Sequence, residues 1–245
     1  MKVAVLGATR GMGRALARRM AERGDAVFLL GRDEADLRKS ARDLEVRAGQ
    51  GQVGVAVCDL ERPETFGPAL DAAEAALGGL DTVVVTAGLF APQDRLEADP
   101  ELARRVLLVD FTNTVVFCEA ARVRLLARGG GTLCAFSSVA GERGRKPVIL
   151  YGAAKAGLTR YLEGLDHKFR AAGLRTVCVK PGFVKTSMTE GLTPPPFAGE
   201  ADAVAATVLR AIDRGTPVVY APAIWRLVML VIRSLPRQVM RRLSF

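Results

Sequence analysis

Tyr151 and Lys155 stand four residues apart in a stretch patterned as a helix, Tyr151-Gly-Ala-Ala-Lys155, so their side chains share one helix face and can meet. An ammonium beside a phenol favours the phenolate and lowers a pKa of about 10, which makes the tyrosine a usable acid or base near neutral pH. Ser138 ends the strand-like run that precedes this helix. Its hydroxyl suits a hydrogen bond to the carbonyl oxygen that the tyrosine protonates, so the three groups together compose a site that polarises a carbonyl. Taken singly each has a plain structural use: a half-buried aromatic, a solvated lysine, a turn serine. Their place in the fold decides between the two readings.

The elements that must position them begin at the N-terminus. An apolar run, Val3 to Leu6, leads directly into Gly7-Ala8-Thr9-Arg10-Gly11-Met12-Gly13 and then into a helical pattern from Met12 to Arg23. Such a turn offers backbone N–H groups and a helix N-terminus to a pyrophosphate, and a Cβ at the glycines would block close approach. Where an NAD binder carries an acid after its second strand, this chain has Leu30-Gly31-Arg32. Arg32 with Arg10 can clamp a 2′-phosphate, so NADP(H) is expected in preference to NAD(H). Asp59, followed by Leu60, stands just past the third strand, placed either to accept from an adenine amino group or to cap the helix after Pro63.

Apolar runs alternate with helical patterns along the rest of the chain: Ala26 to Leu30 then Glu34 to Ala48, Val53 to Val57 then Glu64 to Leu77, Thr82 to Val85 then one long helical stretch from Leu102 to Arg128. Thr132 to Phe136, a helix from Tyr151 to Ala172, Thr176 to Val179 and a last strand near Pro217 to Tyr220 complete the series. Strands without polar alternation, separated by helices, imply a parallel sheet covered on both faces. The fold class expected is therefore α/β, a Rossmann-like doubly wound parallel sheet of about seven strands with helices on both faces. Residues 1–221 read as one nucleotide-binding domain and 222–245 as a basic, apolar extension packed on it. Thr186 to Glu200, with Pro194-Pro195-Pro196, reads as a mobile loop near the carboxyl ends of the strands.

At 245 residues and 49% hydrophobic content the chain can bury one large core. Cys58, Cys118, Cys134 and Cys178 lie apart in apolar runs, without paired spacing for zinc or redox chemistry, and read as reduced core residues; no metal site is expected. His167, the only histidine, is flanked by charge late in a helix and reads as solvated. The first residues have too short an apolar run for a signal peptide, so a cytoplasmic protein is expected.

With those residues in order, the chain resembles the short-chain dehydrogenase/reductase family over nearly its whole length. The matching motifs are Gly7-x-x-x-Gly11-x-Gly13, Asp59, Thr86-Ala87-Gly88, Ser138, Tyr151-x-x-x-Lys155 and Pro181-Gly182-x-x-x-Thr186. The resemblance implies that Gly7, Thr9, Arg10, Gly11, Met12 and Gly13 hold the cofactor phosphates. Arg32, Asp59, Leu60, Ala87 and Gly88 would meet its adenosine half, and Pro181, Gly182, Val184 and Thr186, with Tyr151 and Lys155, its nicotinamide half. It implies a Ser138, Tyr151, Lys155 catalytic set, and a homo-oligomer built through the helical stretches 102–128 and 151–172. Two positions depart from the family pattern. Leu6 replaces a threonine before the loop, and the asparagine that holds a water on the proton path to the lysine falls on Asp110, with Asn113 three residues later. Either Asp110 accepts from that water or Asn113 substitutes, and Asp110→Asn is expected to retain or raise turnover.

From Ser137 onward the chain resembles, more narrowly, the ketoreductase subunits of decaprenylphosphoryl-ribose 2-epimerases. That implies a polyprenylphosphoryl 2-keto-pentose substrate made by a flavin oxidase partner. Residues 222–245 contribute five arginines and no acid to a net charge of +9, and Ile224 to Ile232 is too short to span a bilayer. Arginines beside Trp225 and bulky aliphatics suit a membrane surface, here the inner face, while Trp225, Val228 and Ile232 at helical spacing equally suit packing on the core. Two other functions fit the motifs: a reductase of a small soluble carbonyl compound, and an NADP-sensing protein without catalysis. Nucleic acid is not an expected partner, because the basic residues lack interleaved aromatics or a recognition motif.

Overall fold

In the computed structural model, which describes residues 1–49 and 51–243, the alternation of strand and helix becomes one twisted sheet. Its strands are β1 (Lys2–Leu6), β2 (Ala26–Gly31), β3 (Val55–Val57), β4 (Thr82–Val85), β5 (Gly131–Phe136) and β6 (Leu174–Pro181). A two-residue pair, β7 (Val184–Lys185) with β8 (Gly199–Glu200), stands apart, and β9 (Val218–Ala221) returns to the main sheet. The order is β3-β2-β1-β4-β5-β6-β9, seven strands with every pairing parallel. This is the expected Rossmann-like doubly wound α/β fold, and the order reverses between β1 and β4, where such sheets open a crevice at their carboxyl ends.

The helices are α1 (Gly11–Glu22), α2 (Glu34–Ala48), α3 (Phe66–Leu77), α4 (Gln93–Ala98), α5 (Pro100–Leu107), α6 (Asn113–Ala127), α7 (Ile149–Phe169), α8 (Ala201–Arg214), α9 (Trp225–Ser234) and α10 (Arg237–Arg242). Both sheet faces are apolar because successive side chains of a strand point to opposite sides. Val3 and Val5 join one buried cluster with Leu16, Met20 and Leu37, while Ala4 and Leu6 join the other with Leu70, Phe117 and Leu158. The four cysteines are buried free thiols, and His167 is exposed in the last turn of α7, as expected.

Four differences from the sequence reading matter for the site. The stretch 102–128 is two helices joined by a π-helical turn over Leu108–Thr112, with Thr114 Oγ1 donating to the Val109 carbonyl at 2.7 Å. Helix α5 begins earlier than the periodicity implied, because Asp99 caps it by accepting from the amides of Glu101 and Leu102 ahead of a Pro100 that fits the first turn. Helix α8, which the sequence reading left unassigned, buries Val204, Val208 and Ile212 at four-residue spacing. The stretch expected as a loop, 186–200, starts with a 3-10 turn at Ser187–Thr189 and ends on β8.

Trp225, Met229 and Ile232 of α9 are buried with Val139, against Phe183, Tyr220 and Met240. Ser244 and Phe245 lie outside the described residues. Among the described residues no helix is long and apolar enough to cross a membrane.

Candidate active site

The glycine loop lies where β1 hands over to α1, and its geometry demands glycine. Gly7 sits at φ +93° and Gly11 at φ +52°. A Cβ on Gly13 would stand 2.3 Å from the Gly7 carbonyl oxygen and 2.3 Å from Thr86 Oγ1. Thr86 itself ties the loop down, donating to the carbonyls of Leu6 and Gly7 at 3.0 and 3.1 Å. Above this cradle is a cleft of about 440 Å³ lined by Thr9, Arg10 and Met12, by Arg32 after β2, by Asp59 and Leu60 after β3, and by Ala87 and Gly88 after β4. A dinucleotide fits these donors: close-approach glycines, a helix N-terminus, and cations at the second strand end.

Arg10 and Arg32 both line the cleft from exposed positions, Arg10 holding Asp36 at 3.0 Å across water-accessible surface. Asp59 divides its roles: Oδ1 accepts from the Glu61 amide at 3.0 Å and Oδ2 meets Arg62 at 3.4 Å, so it organises the turn ahead of α3 as well as lining the cleft. Of the segment after β6, Thr186 lines the cleft and touches Gly11, whose added Cβ would come 3.3 Å from its methyl. Pro181 ends β6 paired with Ala221, Val184 is buried, and a Cβ on Gly182 would run 2.1 Å from the Trp225 indole nitrogen. Those three, expected at the nicotinamide, are not among the residues that line the cleft.

Tyr151 and Lys155 emerge from the first turns of α7, and the Lys155 ammonium stands 5.5 Å from the phenol ring centroid. Phe90 packs edge-on against Tyr151 at 5.2 Å between centroids. Ser138 caps the 3-10 turn after β5 by accepting from the Ala140 amide at 3.1 Å, which fixes its rotamer. Burial is the main influence on Tyr151 and carries its pKa above the usual phenol value, with Asp110 adding to the rise and Lys155 and Ser138 opposing it. The sequence reading had the sign of the lysine effect right and the net direction wrong, because desolvation of a phenolate outweighs one nearby cation.

Asp110 is the residue whose role the structure redefines. It sits in the π turn, fully buried, with Oδ1 3.0 Å from Lys155 Nζ and accepting from the Leu89 amide at 3.2 Å. Lys155 also donates to the Phe136 carbonyl at 3.2 Å. Burial pulls the ammonium down, but Asp110 and Tyr151 outweigh it, and Lys155 ends above its ordinary value. Gly88 makes room for this pair: a Cβ there would lie 2.6 Å from Asp110 Oδ1. Asn113 is spent elsewhere, its amide donating to the Leu60 carbonyl at 2.6 Å, so of the two candidates Asp110 is the one beside the lysine. A π turn at a functional site is a recurrent device, and nothing in the spacing of Leu102 to Arg128 announced it.

The comparisons agree with this geometry. The family model described as short chain dehydrogenase matches residues 1–196. An uncharacterised oxidoreductase of Mycobacterium tuberculosis is 34% identical over 241 residues, covering 98% of this chain and 96% of that one. Another from Streptomyces coelicolor is 35% identical over 249 residues, covering 98% and 94%. Among solved structures, an actinorhodin polyketide ketoreductase variant with NADPH superposes with a TM-score of 0.80 at 23% identity, over 89% of this chain and 94% of that one. The chain thus belongs to the short-chain dehydrogenase/reductase family and is an NAD(P)-dependent oxidoreductase acting on alcohol and carbonyl groups.

Proposed function

We propose that this protein is an NADP(H)-dependent reductase that converts a ketone to a secondary alcohol, with Tyr151 as proton donor. The observation that carries the reading is the chain from half-buried Tyr151 through buried Lys155 to buried Asp110, whose Oδ1 stands 3.0 Å from the Lys155 ammonium. When bound, the nicotinamide supplies hydride to the carbonyl carbon. The residues of this chain do the rest. Ser138 orients the carbonyl oxygen, Tyr151 gives it a proton from its hydroxyl, and Lys155 stabilises the phenolate that remains. Asp110 holds Lys155 in place and in charge, and its Oδ2, buried without a protein partner among the described residues, is the acceptor for a water that returns the proton.

Arg10 and Arg32 beside the glycine loop favour NADP(H), and the NADPH in the ketoreductase structure of similar fold is consistent with that preference. For the substrate, the C-terminal extension favours a polyprenylphosphoryl 2-keto-pentose supplied by a flavin oxidase partner. Its inner face packs on the domain, yet Leu227, Leu230 and Val231 are more than half exposed on α9, next to Arg226. An amphipathic, acid-free surface of that kind suits work at the inner face of a membrane. A small soluble ketone remains the second reading, favoured by the packing of Trp225, Met229 and Ile232 against the core.

The test is NADPH oxidation over a panel of ketones that includes a polyprenylphosphoryl keto-pentose. Tyr151→Phe should lower turnover at least a hundredfold while leaving NADPH affinity within about twofold, since it removes only the acid. Tight NADPH binding with no turnover on any ketone would instead make the protein a cofactor sensor.

A further inference from the structure

A second cavity, of about 790 Å³, lies between the loop that follows Ser138 and the C-terminal helices. Arg143, Arg145 and Lys146 line it from the loop, and Arg237 and Arg241 face them from α10. None of the five meets a carboxylate among the described residues. The one acid in the lining, Glu142, is already neutralised: Oε1 takes Lys180, and Oε2 accepts from Tyr220 at 3.0 Å and from Arg233 at 2.9 Å. Arg143 donates to the Leu235 carbonyl at 2.8 Å and Lys146 to the Arg241 carbonyl at 2.7 Å. Those bonds latch the tail over the loop, but a carbonyl dipole does not cancel a cation.

Arg145 makes the imbalance acute. It is half buried, its Nε has no hydrogen-bond partner among the described residues, and burial drags its pKa below the ordinary guanidinium value with no anion among those residues to oppose the shift. A cation partly removed from water is normally paired, and several gathered around one concavity concentrate a positive field that selects an anion. We infer that this groove is a phosphate-binding site, taking the phosphate of a soluble phosphate ester or of an anionic lipid headgroup. The inference stands apart from the ketone reading, since it uses neither Tyr151 nor the glycine loop.

The protein carries its own reporter. Trp225 is the only tryptophan, and its cluster includes Met240, which lines the groove. Full-length protein, with NADPH filling the glycine-loop cleft, is titrated with inorganic phosphate by tryptophan fluorescence and calorimetry, and sedimented with phosphatidylglycerol or phosphatidylcholine vesicles. Saturable phosphate binding should weaken at least tenfold in the Arg145→Gln/Arg241→Gln double variant. It should weaken severalfold in Arg237→Gln, at an exposed position, and stay unchanged in Arg38→Gln, at an exposed arginine of α2. Binding confined to phosphatidylglycerol vesicles, and lost in the same variants, would assign the site to lipid. No binding to either, or binding that these variants leave unchanged, overturns the proposal.

Discussion

Replacing Asp110 by Asn tests the centre of the site without altering its shape. At 3.0 Å the Coulomb attraction of a unit pair is roughly 5 kcal/mol at an effective dielectric of 20, and breaking a buried pair from one side costs about 3–5 kcal/mol. Removing the Asp110 charge takes away the main influence that holds the Lys155 ammonium above its ordinary value and leaves burial to pull it down. Two results follow. Turnover near pH 6.5 stays within about threefold of the parent, and the alkaline limb of the kcat profile moves down by two or more units as Lys155 loses its proton. Retained turnover in Asp110→Asn is therefore predicted only on the acidic side.

The second result needs no substrate. In the parent the folded lysine has a raised pKa, so its contribution to stability is present below the unfolded value near 10.4 and is lost as pH rises through the folded one. In the variant the folded pKa falls, so below the unfolded value near 10.4 the unfolded chain holds more protons and stability rises with pH. The difference in slope between the two proteins should approach about 1.4 kcal/mol per pH unit, read from urea unfolding at a series of pH values. Parallel curves and superimposable kcat profiles would refute the ion-pair account of Asp110.

Gly13→Ala should weaken NADPH binding at least tenfold and destabilise the fold by about 1–3 kcal/mol, because its Cβ would meet the Gly7 carbonyl at 2.3 Å; fluorescence titration and thermal unfolding check both. Removing Arg10 and Arg32 together, as glutamines, should weaken NADPH by roughly 10- to 100-fold, each charge-assisted hydrogen bond being worth about 1.5–3 kcal/mol when well formed, and leave NADH unchanged. Equal losses for both cofactors would reject the 2′-phosphate clamp. Arg47 and Arg18, working against burial, hold the Asp43 carboxyl down at about 2. Its contribution is therefore present above the unfolded value near 3.9 and fades as pH falls towards 2. Asp43→Asn should cost about 1 kcal/mol at pH 7, a value reduced by solvation of the arginines, and flatten the acid limb of stability between pH 4 and 2.

Much of this protein is local and therefore legible in the chain itself. A glycine at a strand-to-helix turn is required by backbone geometry within a few residues, so the phosphate cradle at Gly7, Gly11 and Gly13 could be read directly. The same holds for the Tyr151 and Lys155 pair, which one helix turn brings together, and for the parallel sheet, because strands apolar on both faces need helices on both sides. Helix α8 is equally local, with Val204, Val208 and Ile212 at helical spacing.

What only the tertiary structure decided depends on groups distant in sequence. Asp110 becomes the partner of Lys155 because a π turn adds a residue to the α5 to α6 connection and Gly88 leaves room for the carboxylate; neither effect has a signature in spacing. Asn113 is withdrawn from the site by the Leu60 carbonyl, fifty-three residues away in the chain. The direction of the Tyr151 shift also turns on burial, to which distant residues such as Phe90 contribute and which no motif contains. The tail arginines, a run of charge in the sequence, acquire meaning only when α10 folds back over the loop after Ser138 and sets cation against cation. Spacing along one helix or turn determines which groups can meet; packing between elements determines what each must be charged or paired with once they do.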